Sequence, residues 1–137
     1  MTIVFDACAV LAYLNDEEGA DKVEAYVLDP QRPCVIHALK AFEVHYLTAR
    51  TSGPQVADDA IRDIKDAGVL ILEDLDEVFW KDAAGYKSRG RLSPPDTFAI
   101  AMAKRLGGEV VTCDKDFEAV QQSGICNVTF FRPPRDR

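Results

Sequence analysis

The sequence predicts a single α/β domain, a three-layer α/β/α sandwich on a mainly parallel sheet. Two observations carry that expectation. Short runs of β-formers alternate with helix-forming segments along the whole chain, the order that sets parallel strands side by side with helices over both faces. A chain of 137 residues also suffices for one core and leaves no room for a second. No repeat or linker interrupts it, so one domain is expected over residues 1–131 and a short basic tail over 132–137.

The elements follow in order. Residues 2–5 are an apolar run of β-formers and read as a strand, whereas 7–14 change to Ala and Leu and read as a helix. A helix over 17–28 carries Ala20, Val23, Ala25 and Val27 on or near one side and is broken by Pro30 and Pro33. Residues 34–36 form a brief strand, 38–50 a helix, and Pro54 opens another helix to 67 that Gly68 ends before a strand over 69–72. A helix is expected over 75–88. Ser93-Pro94-Pro95-Asp96 opens the next, which closes at Gly107-Gly108. Residues 109–112 read as a strand, 115–122 as the last helix and 128–131 as the last strand, before a Pro- and Arg-rich end expected to fray.

Composition excludes several function classes. With 47% hydrophobic and 28% charged residues, the chain is an ordinary globular one and not a disordered or low-complexity segment. The apolar stretch from Ala7 to Leu14 is far short of the roughly 18 residues of a membrane span, and Asp6 stands where a secretory signal would begin its apolar region, so no targeting segment and no membrane partner are expected. Four cysteines, at 8, 34, 113 and 126, lack zinc-site spacing and disulfide density, which favours a reducing cytoplasm. A net charge of −7 argues against holding nucleic acid by bulk electrostatics. It suits carboxylates gathered around a divalent cation.

The placement of the acids is the informative feature. Ligand sites in open parallel sheets lie beyond the carboxyl ends of the strands. Asp6 directly follows the first strand and Asp114 follows the fourth after Cys113; each also reads as a helix N-cap. Glu43 shares a helical stripe with Leu39, Tyr46 and Leu47, so it needs a cation, a hydrogen-bonding partner or a buried ion pair, with Lys40 and Arg50 as possible partners on the same helix. Asp96 fits a capping box with Ser93, yet is in register with Ala99, Ile100 and Ala103 and so points inward. Gathered, Asp6, Glu43, Asp96 and Asp114 need protons or cations, and oxygen-only ligation favours Mg²⁺ or Mn²⁺ over zinc. The chemistry implied is phosphodiester hydrolysis.

The segments Ile3-Val4-Phe5-Asp6-Ala7, Ala41-Phe42-Glu43-Val44, Leu92-Ser93-Pro94-Pro95-Asp96-Thr97-Phe98-Ala99-Ile100-Ala101 and Thr112-Cys113-Asp114-Lys115-Asp116-Phe117 together resemble a PIN-domain nuclease. In size and motif order the chain is similar to the VapC toxins of prokaryotic toxin-antitoxin pairs. That resemblance implies a Mg²⁺- or Mn²⁺-dependent endoribonuclease, usually dimeric, acting on structured RNA such as tRNA or ribosomal RNA and silenced by a VapB-type antitoxin. It implies Asp6 and Asp96 as principal metal ligands, Glu43 and Asp114 as acids that complete the cluster or orient water, and Thr112 and Asp116 in supporting places. Two positions depart from the pattern: Cys8, where Ser is usual, and Lys40, in a stretch where small or hydroxyl residues are more frequent.

Lys87, Arg89 and Arg91, just ahead of the Asp96 motif, are candidates for an RNA backbone clamp or a solvated helix end. His37 and His45 match no ligand spacing, and Cys8 and Cys113 read as small buried residues more than nucleophiles. Phe79, Trp80 and Tyr86 suit the core or a dimer interface better than base stacking. A haloacid-dehalogenase-like phosphatase would need a second Asp two residues after Asp6, where Cys8 stands. The remaining alternative is a non-catalytic PIN-like module that holds RNA or protein without cutting it.

Overall fold

The computed structural model describes residues 1–136. Strands β1 (Ile3–Phe5), β2 (Cys34–His37), β3 (Leu70–Leu72), β4 (Glu109–Asp114) and β5 (Asn127–Arg135) form one sheet in the order β3-β2-β1-β4-β5. Every pairing is parallel. Helices α1 (Ala7–Asn15), α2 (Ala20–Val27), α3 (Ala38–Ser52), α4 (Pro54–Asp66), α5 (Glu77–Ser88), α6 (Pro94–Leu106) and α7 (Glu118–Ser123) complete the described chain.

Side-chain alternation along β1 explains the three layers. Ile3 and Phe5 point to one face, where they pack with Val10 of α1, Val23 of α2, Val44 of α3 and Ile64 of α4. Val4 points to the other and meets Phe79 of α5, Ile100 and Met102 of α6 and Val120 of α7. A strand buried on both faces is apolar throughout, as β1 is. Phe79 and Tyr86 are core residues while Trp80 is exposed. Gly108 lets β4 close against β1: Glu109 N–H donates to Thr2 O at 2.9 Å, and a Cβ on Gly108 would collide with that carbonyl.

Several boundaries differ from expectation. Helix α2 starts at Ala20 and not at 17, because Asp16 (φ 52°) and Gly19 (φ 85°) adopt left-handed backbone and a Cβ on Gly19 would meet the Phe131 ring at 2.7 Å. The segment over 115–122 opens with a 3₁₀ turn, Lys115–Phe117, before α7. The expected fraying is absent up to Arg135: β5 continues through Pro133 and Pro134, which fall where the ladder to β4 breaks register, between the pairs Thr112–Phe130 and Asp114–Arg135, so that no ladder donor is asked of either proline. Arg132 Nη1 donates to Glu17 Oε1 at 3.2 Å and to Glu18 O at 3.0 Å, and Arg135 Nη2 to Glu18 Oε1 at 2.7 Å. Arg137 lies outside the described residues. No helix among them is long and apolar enough to cross a membrane.

Candidate active site

Three acids reach one point because each starts a helical turn at the carboxyl edge of the sheet. Asp6 follows β1 in extended conformation, and its Oδ1 accepts from Ala7 N–H at 2.7 Å, capping α1. Asp96 closes a capping box: Ser93 Oγ accepts from Asp96 N–H and Asp96 Oδ2 accepts from Ser93 N–H, each at 3.3 Å. Asp114 ends β4, and its Oδ1 accepts from Asp116 N–H at 2.9 Å at the start of the 3₁₀ turn. Asp96 therefore both caps and points inward, and Asp6 and Asp114 cap the turns that follow their strands. One oxygen from each lies within 4.8 Å of the others, and the residues are 3%, 0% and 6% exposed.

Thr112 ties two of them together. Its buried hydroxyl donates to Asp6 Oδ2 at 2.6 Å and accepts from Asp114 N–H at 3.0 Å. Cys8 keeps a place in this shell despite lacking a hydroxyl: its Sγ lies 3.7 Å from Asp6 Oδ2 and 3.6 Å from Thr112 Oγ1, and accepts from Cys113 N–H at 3.2 Å. Asp116 contributes its amide to Asp114, while the residue itself is exposed and stands outside the three-acid cluster.

Glu43 joins the cluster through a cation. Lys40 Nζ lies 2.7 Å from Asp6 Oδ1, 2.5 Å from Asp96 Oδ1 and 3.3 Å from Glu43 Oε1, with its side chain 0% exposed. Lys40 is thus Glu43's ion-pair partner, whereas Arg50 stacks over Tyr46 at 5.0 Å. Burial works to raise the Asp6 carboxyl, but the Lys40 charge and hydrogen bonds from Lys40, Thr112 and the Ala7 amide hold it below its ordinary value. Burial likewise opposes the Lys40 charge, and the carboxylates of Asp6, Asp96 and Glu43 overcome it and push the amine's affinity for its proton above the ordinary range. Sequence reasoning placed Lys40 beside Glu43; it missed that Lys40 also meets Asp6 and Asp96, for which its position on the stripe of Glu43 and Val44 was the available signal.

Two grooves open at this edge. One of about 430 Å³ is lined by Asp6, Glu43, Asp114, Cys113, Arg132 and Arg135. Arg132, whose side chain is 9% exposed, has a buried Nε with no hydrogen-bond partner. The second, about 730 Å³, includes Arg89, Arg91, Lys115 and Asp116. Lys87 is exposed at the end of α5 and does not line it; Arg89 is partly held by its own helix, with Nε donating to Gly85 O at 3.0 Å and its guanidinium over Tyr86. Asp136 lines both grooves. Neither histidine enters the cluster: His37 caps α3, accepting from Leu39 N–H at 3.0 Å, and His45 pairs with Asp58 at 2.9 Å.

Fold and site together define a class, an α/β/α protein with a carboxylate cluster beyond the carboxyl ends of a parallel sheet. Within it, this chain belongs to the PIN-domain family, whose model matches residues 3–122. Its fold is similar to that of a toxin-antitoxin complex from Klebsiella pneumoniae (TM-score 0.70, 20% identity, covering 96% of this chain and 98% of that one). Similar too are VapBC2 from Rickettsia felis bound to a DNA fragment from their promoter (TM-score 0.71, 10% identity, 95% and 98% covered) and Mycobacterium tuberculosis VapC20, a Sarcin-Ricin loop cleaving toxin (TM-score 0.67, 19% identity, 86% and 94% covered). No curated protein sequence matches the chain.

Proposed function

We propose that the chain is a VapC-type toxin, a metal-dependent endoribonuclease that hydrolyses RNA phosphodiester bonds in the cytoplasm. The observation that carries this reading is the convergence of Asp6, Asp96 and Asp114, one oxygen each within 4.8 Å, with Asp6 and Asp114 lining a groove. Three buried carboxylates are the oxygen-only donor set that suits Mg²⁺ or Mn²⁺, and these three would hold it. A divalent ion there supplies Lewis acidity to phosphodiester hydrolysis.

The chain's own residues do the rest. Thr112 fixes the orientation of Asp6, and Glu43 reaches the cluster beside Lys40. Arg132 and Arg135 line the groove beside the acids and bring it the positive charge that suits a phosphate group. Arg89, Arg91 and Lys115 extend positive charge along the neighbouring groove for the RNA backbone. The substrate class is structured RNA, tRNA or ribosomal RNA; one fold neighbour cleaves the Sarcin-Ricin loop and two others are toxin-antitoxin complexes. By the same analogy a VapB-type antitoxin and a homodimer belong to the proposal.

A second reading, a PIN-like module that binds without cutting, draws support from Lys40, because an ammonium already stands among the acids. The two separate on incubation of purified protein with labelled cellular RNA, with Mg²⁺ or Mn²⁺ and with chelator, beside Asp96→Asn. Discrete cleavage that requires metal and vanishes in the variant supports the nuclease. Intact RNA in every lane, with folding confirmed, supports the binding module.

A further inference from the structure

We propose that the Lys40 ammonium is a tethered cation filling one of the positions in the acid cluster, so that the site takes at most one divalent ion and never a pair. This rests on the reading that the cluster takes a divalent ion at all.

An ammonium offers three N–H donors and no acceptor. Lys40 Nζ has three carboxylate partners from three parts of the fold: Asp6 after β1 at 2.7 Å, Asp96 in the first turn of α6 at 2.5 Å and Glu43 one turn along α3 at 3.3 Å. Each donor is matched to an acceptor. The side chain is fully buried and its helix is anchored by the His37 cap, so the charge is held among the acids and not swung to solvent.

Of the acceptors, Asp6 is the most heavily used. A carboxylate has about four lone-pair sites. Asp6 Oδ1 takes the Ala7 amide and Lys40, and its Oδ2 takes the Thr112 hydroxyl at 2.6 Å and the Cys8 thiol at 3.7 Å. A second cation seated between Asp6 and Asp96 would therefore have to evict the ammonium, which leaves the Asp114 side of the cluster for a single ion. Paired catalytic ions stand about 3.5–4 Å apart, while the three acid oxygens here span at most 4.8 Å. With Nζ against two of them, one of the two cation positions that such a pair would need is already taken.

The test is Mn²⁺ binding to the metal-free full chain, read by the electron-spin resonance of the free aqueous ion, for the wild type and Lys40→Met. The wild type is expected to bind no more than one ion per chain. The variant should bind one more, or bind the same number about 10–100-fold more tightly, the range over which groups touching metal-holding residues act. Two ions on the wild type, or equal stoichiometry and affinity in both proteins, overturns the proposal. If Lys40→Met is unfolded in chelator, recovery of its melting transition on adding Mn²⁺ supports it, and failure to recover overturns it. RNA cleavage is assayed in parallel: ions bound as expected but no cleavage by either protein defeats the nuclease reading while this inference stands.

Discussion

The molecule holds two cations among aspartates, and they differ in almost everything except their chemistry. Arg105, at the end of α6, donates to Asp76 through Nη1 at 2.6 Å and Nη2 at 2.9 Å and to Asp74 at 3.1 Å, at a surface where its side chain is 33% exposed. Lys40 meets three carboxylates with none of its side chain exposed. Arg105 has the better geometry, a two-point fork that pulls the Asp76 carboxyl down to about 2. Water nevertheless screens it and would solvate either partner left alone. In the interior the loss of one partner strands the others, so the less regular arrangement is the more consequential one.

The sharpest way to break this comparison is Lys40→Met in chelator. It leaves Asp6, Asp96 and Glu43 without their cation and should cost about 3–5 kcal/mol of unfolding free energy, measured by denaturant titration. Adding Asp96→Asn to it should return part of that loss. A single variant as stable as wild type would show that the cluster tolerates its own charge.

A smaller effect is expected from His37, which begins the helix carrying both Lys40 and Glu43. Its Nδ1 accepts from Leu39 N–H, so Nε2 carries the proton and donates to Asp74 O at 2.9 Å. Burial lowers its affinity for a second proton below the ordinary 6.5, only partly offset by Asp74. The unfolded chain therefore takes up that proton first as pH falls. Stability contributed by neutral His37 is complete above about pH 6.5 and is lost below it until the folded group also titrates, at no more than about 1.4 kcal/mol per pH unit. Denaturant midpoints from pH 7.5 to 5.5 should fall for the wild type and flatten in His37→Asn, which keeps a capping acceptor; parallel slopes would remove His37 from the account.

The smallest effect should come from Arg105→Ala. Its melting temperature is expected to change far less than that of Lys40→Met, and the difference from wild type should shrink as salt is added. A loss comparable to that of Lys40→Met would mean that the stacking of Arg105 over Phe79 at 5.0 Å, and not its charge, holds α5 to α6.

What the sequence made legible is local. Asp6, Asp96 and Asp114 were readable because each follows a strand or opens a helix within a few residues, and capping is a short-range interaction. The alternation of elements was readable for the same reason. Lys40 was only half legible: its partner at three residues' distance could be read from helix geometry, but Asp96 is 56 residues away, and only the folded sheet edge brings the two together. Arg132 and Arg135 were concealed by Pro133-Pro134, which normally ends a strand; that β5 breaks register against β4 there and pairs again at Arg135 is a fact of the folded ladder and not of the segment. Glu17 and Glu18, which hold both arginines, lie more than 110 residues earlier in the chain.

Each acid of the cluster also begins a helical turn, and this has an evolutionary consequence. A lineage that stopped cutting RNA would still lose stability on replacing Asp6, Asp96 or Asp114 by a residue that cannot cap, so selection for folding alone would preserve the acidic signature after the reaction had gone. Lys40 lies in the first turn of its helix but caps nothing, that place being taken by His37. Among related chains, the residue at this position should therefore change with the chemistry of the site while the three aspartates stay behind as its fossil outline.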